Sequence, residues 1–131
     1  MTAIAPKVFL DTAFVYALIN TRDDWHGRAV QWQARLAAEC RPLLTTEFVL
    51  MEIGDGLAAL RFRSQATQIL LTLRSSALVE VVPASARLVE EAFTLYRARN
   101  DKDWGLTDCS SFVVMRERGL SDALTMDHHF Q

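Results

Sequence analysis

The sequence predicts an α/β fold, a parallel sheet of strand order 3-2-1-4 with helices on both faces. Three observations carry this. Short apolar or β-branched runs alternate with helical patterns along the chain, as crossover connections require. Two of those runs lead into aspartate, Val8-Phe-Leu-Asp11 near one end and Ala123-Leu-Thr-Met-Asp127 near the other. Right-handed crossovers that wind the first three strands outward and return the fourth beside the first place both aspartates at one switch point, where open parallel sheets bind ligands.

Lys7 to Asp11 reads as a short buried strand whose last residue is Asp11. Thr12 to Asn20 carries Phe14, Val15, Leu18 and Ile19 at helical spacing. Asp23 or Asp24 caps a second helix, with Trp25, Ala29, Trp32 and Leu36 on the inward face and Arg28, Gln31 and Arg35 on the polar one. His26 takes a surface or capping role there, since no second metal ligand is near it. Arg41-Pro42 breaks the pattern, and Leu43 to Thr46 is a strand. Thr46 caps a helix with an apolar set of Phe48, Val49, Met51, Ile53, Leu57 and Leu60. Glu47 occupies its first turn, where the helix dipole favours an acid. Glu52 lies deeper between Met51 and Ile53, where a carboxylate costs free energy unless paired, metal-bound or turned to a cleft. Gly54 and Gly56 weaken the helix beyond it and permit a bend or close packing.

Ser64 opens the next helix, striped with Ala66, Ile69, Leu70 and Leu73. Ala77 to Val82 is the third strand, ended by Pro83. Ser85 caps a helix with Leu88, Ala92, Leu95 and Tyr96 inward. Arg97 to Asp103 is a charged loop. Thr107 caps the last long helix, with Cys109, Phe112 and Val113 inward, Arg116 and Arg118 in its final turn, and Gly119 closing it. The fourth strand runs from Ala123 to Thr125.

The 131 residues fit one domain, and half of them are hydrophobic, enough for a real core. No apolar run is long enough to span a bilayer, and no signal peptide is evident. Cys40 and Cys109 form no metal-ligand pattern and read as free, largely buried thiols in a reducing cytoplasm. The net charge of −2 argues against a whole-surface nucleic-acid binder but not against a local basic patch.

Asp11, Glu52, Asp108 and Asp127 all fall where strands end or helices begin. Taken alone, Asp108 is a dipole-favoured acid in a first helical turn and Asp127 a cap. Gathered at one sheet edge, such carboxylates repel, and one or more would hold a proton unless a cation intervenes. Hard oxygen donors suit Mg²⁺ or Mn²⁺ rather than zinc, and His128-His129 point in different directions on a helix. A carboxylate-held ion pair of this kind activates water for in-line displacement at phosphorus. Neither a covalent nucleophile nor a phosphate-binding glycine loop is present; Gly54-Asp-Gly56 lacks the P-loop form.

The chain resembles the PIN-domain ribonucleases, and within them the VapC-type toxins of toxin–antitoxin pairs. The resemblance rests on Val-Phe-Leu-Asp11-Thr-Ala-Phe, Leu-Thr-Thr-Glu-Phe-Val-Leu-Met-Glu52-Ile, Trp-Gly-Leu-Thr-Asp108-Cys-Ser-Ser-Phe and Leu-Thr-Met-Asp127-His-His-Phe, four motifs in order over nearly the whole sequence. It implies one PIN domain over residues 1–131 with a catalytic site of Asp11, Glu52, Asp108 and Asp127. Asp11 and Asp108 are its metal ligands, and Thr12 and Thr125 supply supporting hydroxyls. It also implies Mg²⁺- or Mn²⁺-dependent cleavage of RNA, a homodimer, a VapB-like antitoxin and a cytoplasmic location. Two departures stand out. Ala13 replaces a small polar residue common in the family, and the sequence stops at Gln131 where relatives usually continue into a short helix and strand, so either the sequence is trimmed there or a fifth edge strand is missing. Glu47 competes with Glu52, but its place at the helix start already accounts for it. Arg97, Arg99 and Lys102, just before Asp108, are candidate contacts to RNA phosphates.

Two rivals remain at the level of sequence. A receiver-type signalling domain needs an Asp after the third strand and a late Lys; here that strand ends Val82-Pro-Ala and no Lys follows Lys102. The other is the same fold kept as an RNA-binding or protein-interaction module without catalysis.

Overall fold

The structure is a computed structural model that describes residues 7–124. Its elements are β1 (Val8–Leu10), α1 (Thr12–Ile19), α2 (His26–Glu39), β2 (Leu43–Thr46), α3 (Glu47–Gly56), α4 (Leu60–Ser75), β3 (Val79–Val82), α5 (Ala86–Ala98), α6 (Leu106–Arg118) and β4 (Ala123–Leu124). The sheet is parallel with order β3-β2-β1-β4, the order that the winding argument predicts. Val8 pairs with Leu43 and Phe9 with Ala123, so β1 is central. All three β1 residues are buried, as a strand covered on both faces must be. The core gathers Phe9, Leu44, Val49, Ile53, Leu88 and Val113 beneath the sheet's carboxyl end.

Local chemistry explains most boundaries. The Thr46 and Ser85 hydroxyls accept from the Val49 and Leu88 amides, as N-caps do. Gly119 closes α6 in the left-handed region, with φ +65, which a residue without Cβ adopts freely. Cys40 closes α2 in the same region at φ 49, and there a side chain makes that backbone strained.

At the amino ends of the strands, Glu80 of β3 forms an ionic knot. It accepts from Lys7 Nζ at 2.5 Å and from the Arg118 guanidinium at 2.7 and 2.8 Å. These bonds, Arg118 first and Lys7 second, hold the Glu80 carboxyl down to about 2.

Several expectations need correction. The α4 helix starts at Leu60, four positions before Ser64, from an Ala59 N-cap with no side-chain bond. Gly105, not Thr107, is the N-cap of α6. The α2 helix begins after Trp25, and Asp23 instead accepts from the Trp25 amide in the preceding turn. Trp25 and Trp32 do share a face, but they are 40% and 39% exposed and lie under Arg28 and Arg35 in cation–π contacts. Met51 and Leu60 are 68% and 91% exposed, and Tyr96 also faces solvent. Cys40 is exposed, whereas Cys109 is buried as expected. The sequence pattern finds an apolar stripe but not whether another element covers it.

Candidate functional site

The site begins where β1 meets α1. Asp11 leaves the strand in extended backbone and precedes the first turn of α1, but its side chain makes no capping bond. It is only 3% exposed, so its carboxylate is directed into the protein rather than into water. From β2, the Thr45 hydroxyl donates to the Leu10 carbonyl at 2.9 Å and pins the peptide that leads into Asp11. Thr12 is buried beside it, and its hydroxyl has no hydrogen-bond partner among the described residues; the same holds for Ser111 on α6. A buried hydroxyl in that state costs about 1–3 kcal/mol unless water or a ligand satisfies it.

Glu52 projects from the middle of α3 and is half-buried. Its backbone carbonyl accepts from the Tyr16 hydroxyl of α1 at 2.7 Å. The Tyr16 phenol is pushed up to about 12, by burial first and then by the negative charges of Glu52, Asp55 and Asp11. One ring thus senses three carboxylates, two of them predicted site residues. Sequence reasoning missed Tyr16 and Asp55. The available signals were a tyrosine inside an apolar stripe and an acid between two helix-weakening glycines. Glu47 stands apart: its carboxylate accepts from the Ala84 amide at 2.7 Å and ties α3 to the end of β3. That bond gives Glu47 a structural task.

Asp108 lies in the first turn of α6, a helix that packs on α3. Its Oδ2 accepts from the Gly105 amide at 2.9 Å, one half of a capping box. Burial, and then the Asp108 charge, pushes the adjacent Cys109 thiol up. Asp127, Thr125, His128 and His129 lie outside the described residues. Among the described residues, no three His, Cys, Asp or Glu side chains converge as a metal-binding group. The donor chemistry of Asp11, Glu52 and Asp108 nonetheless fits a hard divalent cation, since these acids offer oxygen only. His26 is engaged elsewhere, its Nδ1 2.8 Å from the Ala17 carbonyl oxygen.

The candidate cations near Asp108 differ. Arg99 is paired with Asp101 at 3.0 Å and lies over the Trp104 ring. Arg97, at the end of α5, lies over Phe93. Lys102 is exposed in the turn between them and α6.

Residues 8–131 match the family model of the PIN domain. The 23S rRNA-specific endonuclease VapC20 of Mycobacterium tuberculosis is 32% identical over 123 residues, covering 94% of this chain and 91% of that protein. The crystal structure of VapC20, a sarcin–ricin loop cleaving toxin, aligns with a TM-score of 0.79 over 95% of this chain and 92% of that one. FitAcB from Neisseria gonorrhoeae aligns with a TM-score of 0.57 at 17% identity, covering 86% and 83% of the two chains, a likeness of fold alone.

Proposed function

The chain belongs to the PIN-domain family, and from that premise we propose that it is a Mg²⁺- or Mn²⁺-dependent ribonuclease, the toxin of a VapBC-type pair. The observation that carries this reading is the buried Asp11 at the end of the central strand, with Glu52 on α3, the helix that packs on α1 and takes the Tyr16 hydroxyl bond on its Glu52 carbonyl.

In this reading Asp11 and Asp108 ligate the ion, and Glu52 and Asp127 complete the acidic set. When bound, the ion lowers the pKa of a water and stabilises in-line displacement at the RNA phosphorus. Thr12 and Thr125 orient the acids or the water through their hydroxyls. Arg97, Arg99 and Lys102 bind phosphates of the substrate. Arg99 must exchange its Asp101 partner to do so, which leaves Lys102 and Arg97 as the readier contacts.

The named target of the relative makes 23S rRNA the first substrate to test. Its place among VapC toxins supports a VapB-like antitoxin and a cytoplasmic site of action. No described helix is long and apolar enough to cross a membrane. A homodimer belongs to the same reading: Val89, Phe93 and Tyr96 form an exposed apolar stripe on α5, next to a cavity of about 240 Å³ between α3, α5 and α6. The whole sequence is taken as one PIN domain.

The decisive experiment incubates purified protein with ribosomal RNA in EDTA, Mg²⁺ and Mn²⁺. Cleavage with either metal and none in EDTA is the expected result. Intact RNA under all three conditions, with a normal circular-dichroism spectrum, would move the reading to a module that binds RNA or protein without catalysis.

A further inference from the structure

Gly56 sits in the last position of α3, where a glycine is destabilising relative to alanine. The reason is steric. A Cβ at Gly56 would lie 1.8 Å from the Tyr16 hydroxyl oxygen, 2.2 Å from Cζ and 2.6 Å from Cε1. No ordinary side-chain contact is that short, and the obstacle is a rigid ring rather than a flexible tip. Gly54, two positions earlier, has no such neighbour; its nearest contact is an ordinary 3.7 Å to Leu70. The close approach is therefore specific to Gly56. The ring that enters this space donates its hydroxyl to the Glu52 carbonyl, one turn back along α3.

We propose that Tyr16 is a positioning residue for the acidic site, seated on Gly56 and fixing α3 against α1 so that Glu52 and Asp11 keep their spacing. The proposal deepens the ribonuclease reading and rests on it. Asp11 directly precedes α1, and Tyr16 lies on the second turn of that helix. Glu52 and Gly56 occupy successive turns of α3. The hydroxyl bonds to the main chain of Glu52, so the bond fixes where the residue stands without consuming its carboxylate. Divalent cations bound through oxygen need several donors at set distances, and small misplacements in such sites cost large factors in rate.

The test compares full-length wild type with Tyr16→Phe, Gly56→Ala and, as a control on the exposed face of α4 that also loses one hydroxyl bond to a backbone carbonyl, Thr67→Val. Mn²⁺ binding is measured by calorimetry without RNA, and cleavage of ribosomal RNA is measured as kcat and KM across Mn²⁺ concentrations. Tyr16→Phe keeps the ring and loses only the hydroxyl, so its metal-free melting temperature should stay within a few degrees of wild type. Its Mn²⁺ dissociation constant should rise about tenfold, the scale of one hydrogen bond. Its kcat at fixed Mn²⁺ should fall while KM for RNA is unchanged. Gly56→Ala should show the same pattern more strongly, and Thr67→Val should match wild type. If Tyr16→Phe binds Mn²⁺ and cleaves as wild type does, Tyr16 is a packing residue and the proposal is wrong, while the nuclease reading stands. If Gly56→Ala does not fold, the Tyr16→Phe result alone decides. If wild type neither binds Mn²⁺ nor cleaves RNA, the nuclease reading falls and takes this one with it.

Discussion

The two ends of the sheet handle negative charge in opposite ways. At the amino ends, Glu80 meets Arg118 and Lys7, and its carboxyl is held down to about 2. Near the carboxyl ends, charge accumulates: Asp11, Glu52 and Asp55 together help push the Tyr16 phenol up to about 12. One end is a fastening, where cation and anion satisfy each other within the chain. At the other, three acids act on one phenol, and one of them, Asp11, is buried. The proposed ribonuclease reading places the chemistry at the second end.

The sharpest way to break this contrast is to neutralise the acidic end. Asp11→Asn, Glu52→Gln and Asp108→Asn should each cut RNA cleavage at least about 100-fold, because an amide is a poorer ligand for a hard cation. Glu47→Gln, which weakens only the bond to the Ala84 amide, should keep activity. Initial rates on ribosomal RNA, with circular dichroism to confirm folding, check both statements. An active Asp11→Asn would erase the distinction between the two ends.

Metal should come next in size. A native-state ligand at a hundredfold excess over its dissociation constant adds roughly 2.7 kcal/mol, a melting shift on the order of 10 °C for a domain of this size. Thermal melts at fixed ionic strength, in EDTA and in Mn²⁺, should show that shift in wild type and little of it in Asp11→Asn. Equal shifts would mean Mn²⁺ binds away from Asp11.

The cations before α6 should have a smaller and different effect. Replacing Arg97, Arg99 and Lys102 by glutamine should weaken RNA binding and flatten its dependence on salt, by about 0.7 for each phosphate the protein no longer neutralises. Because Arg99 already holds Asp101, the change should correspond to about two phosphates rather than three. A salt slope identical to wild type would confine these residues to the surface.

The smallest effect belongs to the amino-end knot. Glu80 has a folded-state pKa below its ordinary value, so its contribution is full above about pH 4.5 and disappears as pH falls toward about 2. More than a third of its side chain meets water, and this screening reduces the contribution to about 1 kcal/mol. Glu80→Gln should lower the melting temperature at pH 7 by a few degrees and converge on wild type near pH 2. RNA cleavage at pH 7 should not change.

The sheet was legible in the sequence because its signals are local: three-residue apolar runs, a proline stop after Val82 and hydroxyl caps at Thr46 and Ser85. Crossover handedness fixes the sense of winding, but the order itself rested on the fourth strand returning beside the first, which the pairing of β1 with β4 bears out. The start of α4 was not legible, since Ala59 begins a helix with no side-chain bond and Ser64 imitates a cap. The exposure of Trp25 and Trp32 was not legible either, because periodicity defines a face and packing decides whether it is covered. At the site, Asp11 and Glu52 could be named from their positions, yet the Tyr16–Gly56 contact joins residues 40 positions apart through three dimensions and leaves only a stray tyrosine and a stray glycine in the sequence.

The position of β1 has a consequence for synthesis. Its neighbours are β2, which the ribosome makes soon afterwards, and β4, which it makes only near the far end of the sequence. Until residues 123–124 have emerged, the strand that leads into Asp11 has one unpaired edge, and the acidic corner stands on a half-built sheet. The strand order thus delays this corner until the chain has passed residue 124, because β1 pairs with a strand far away in sequence.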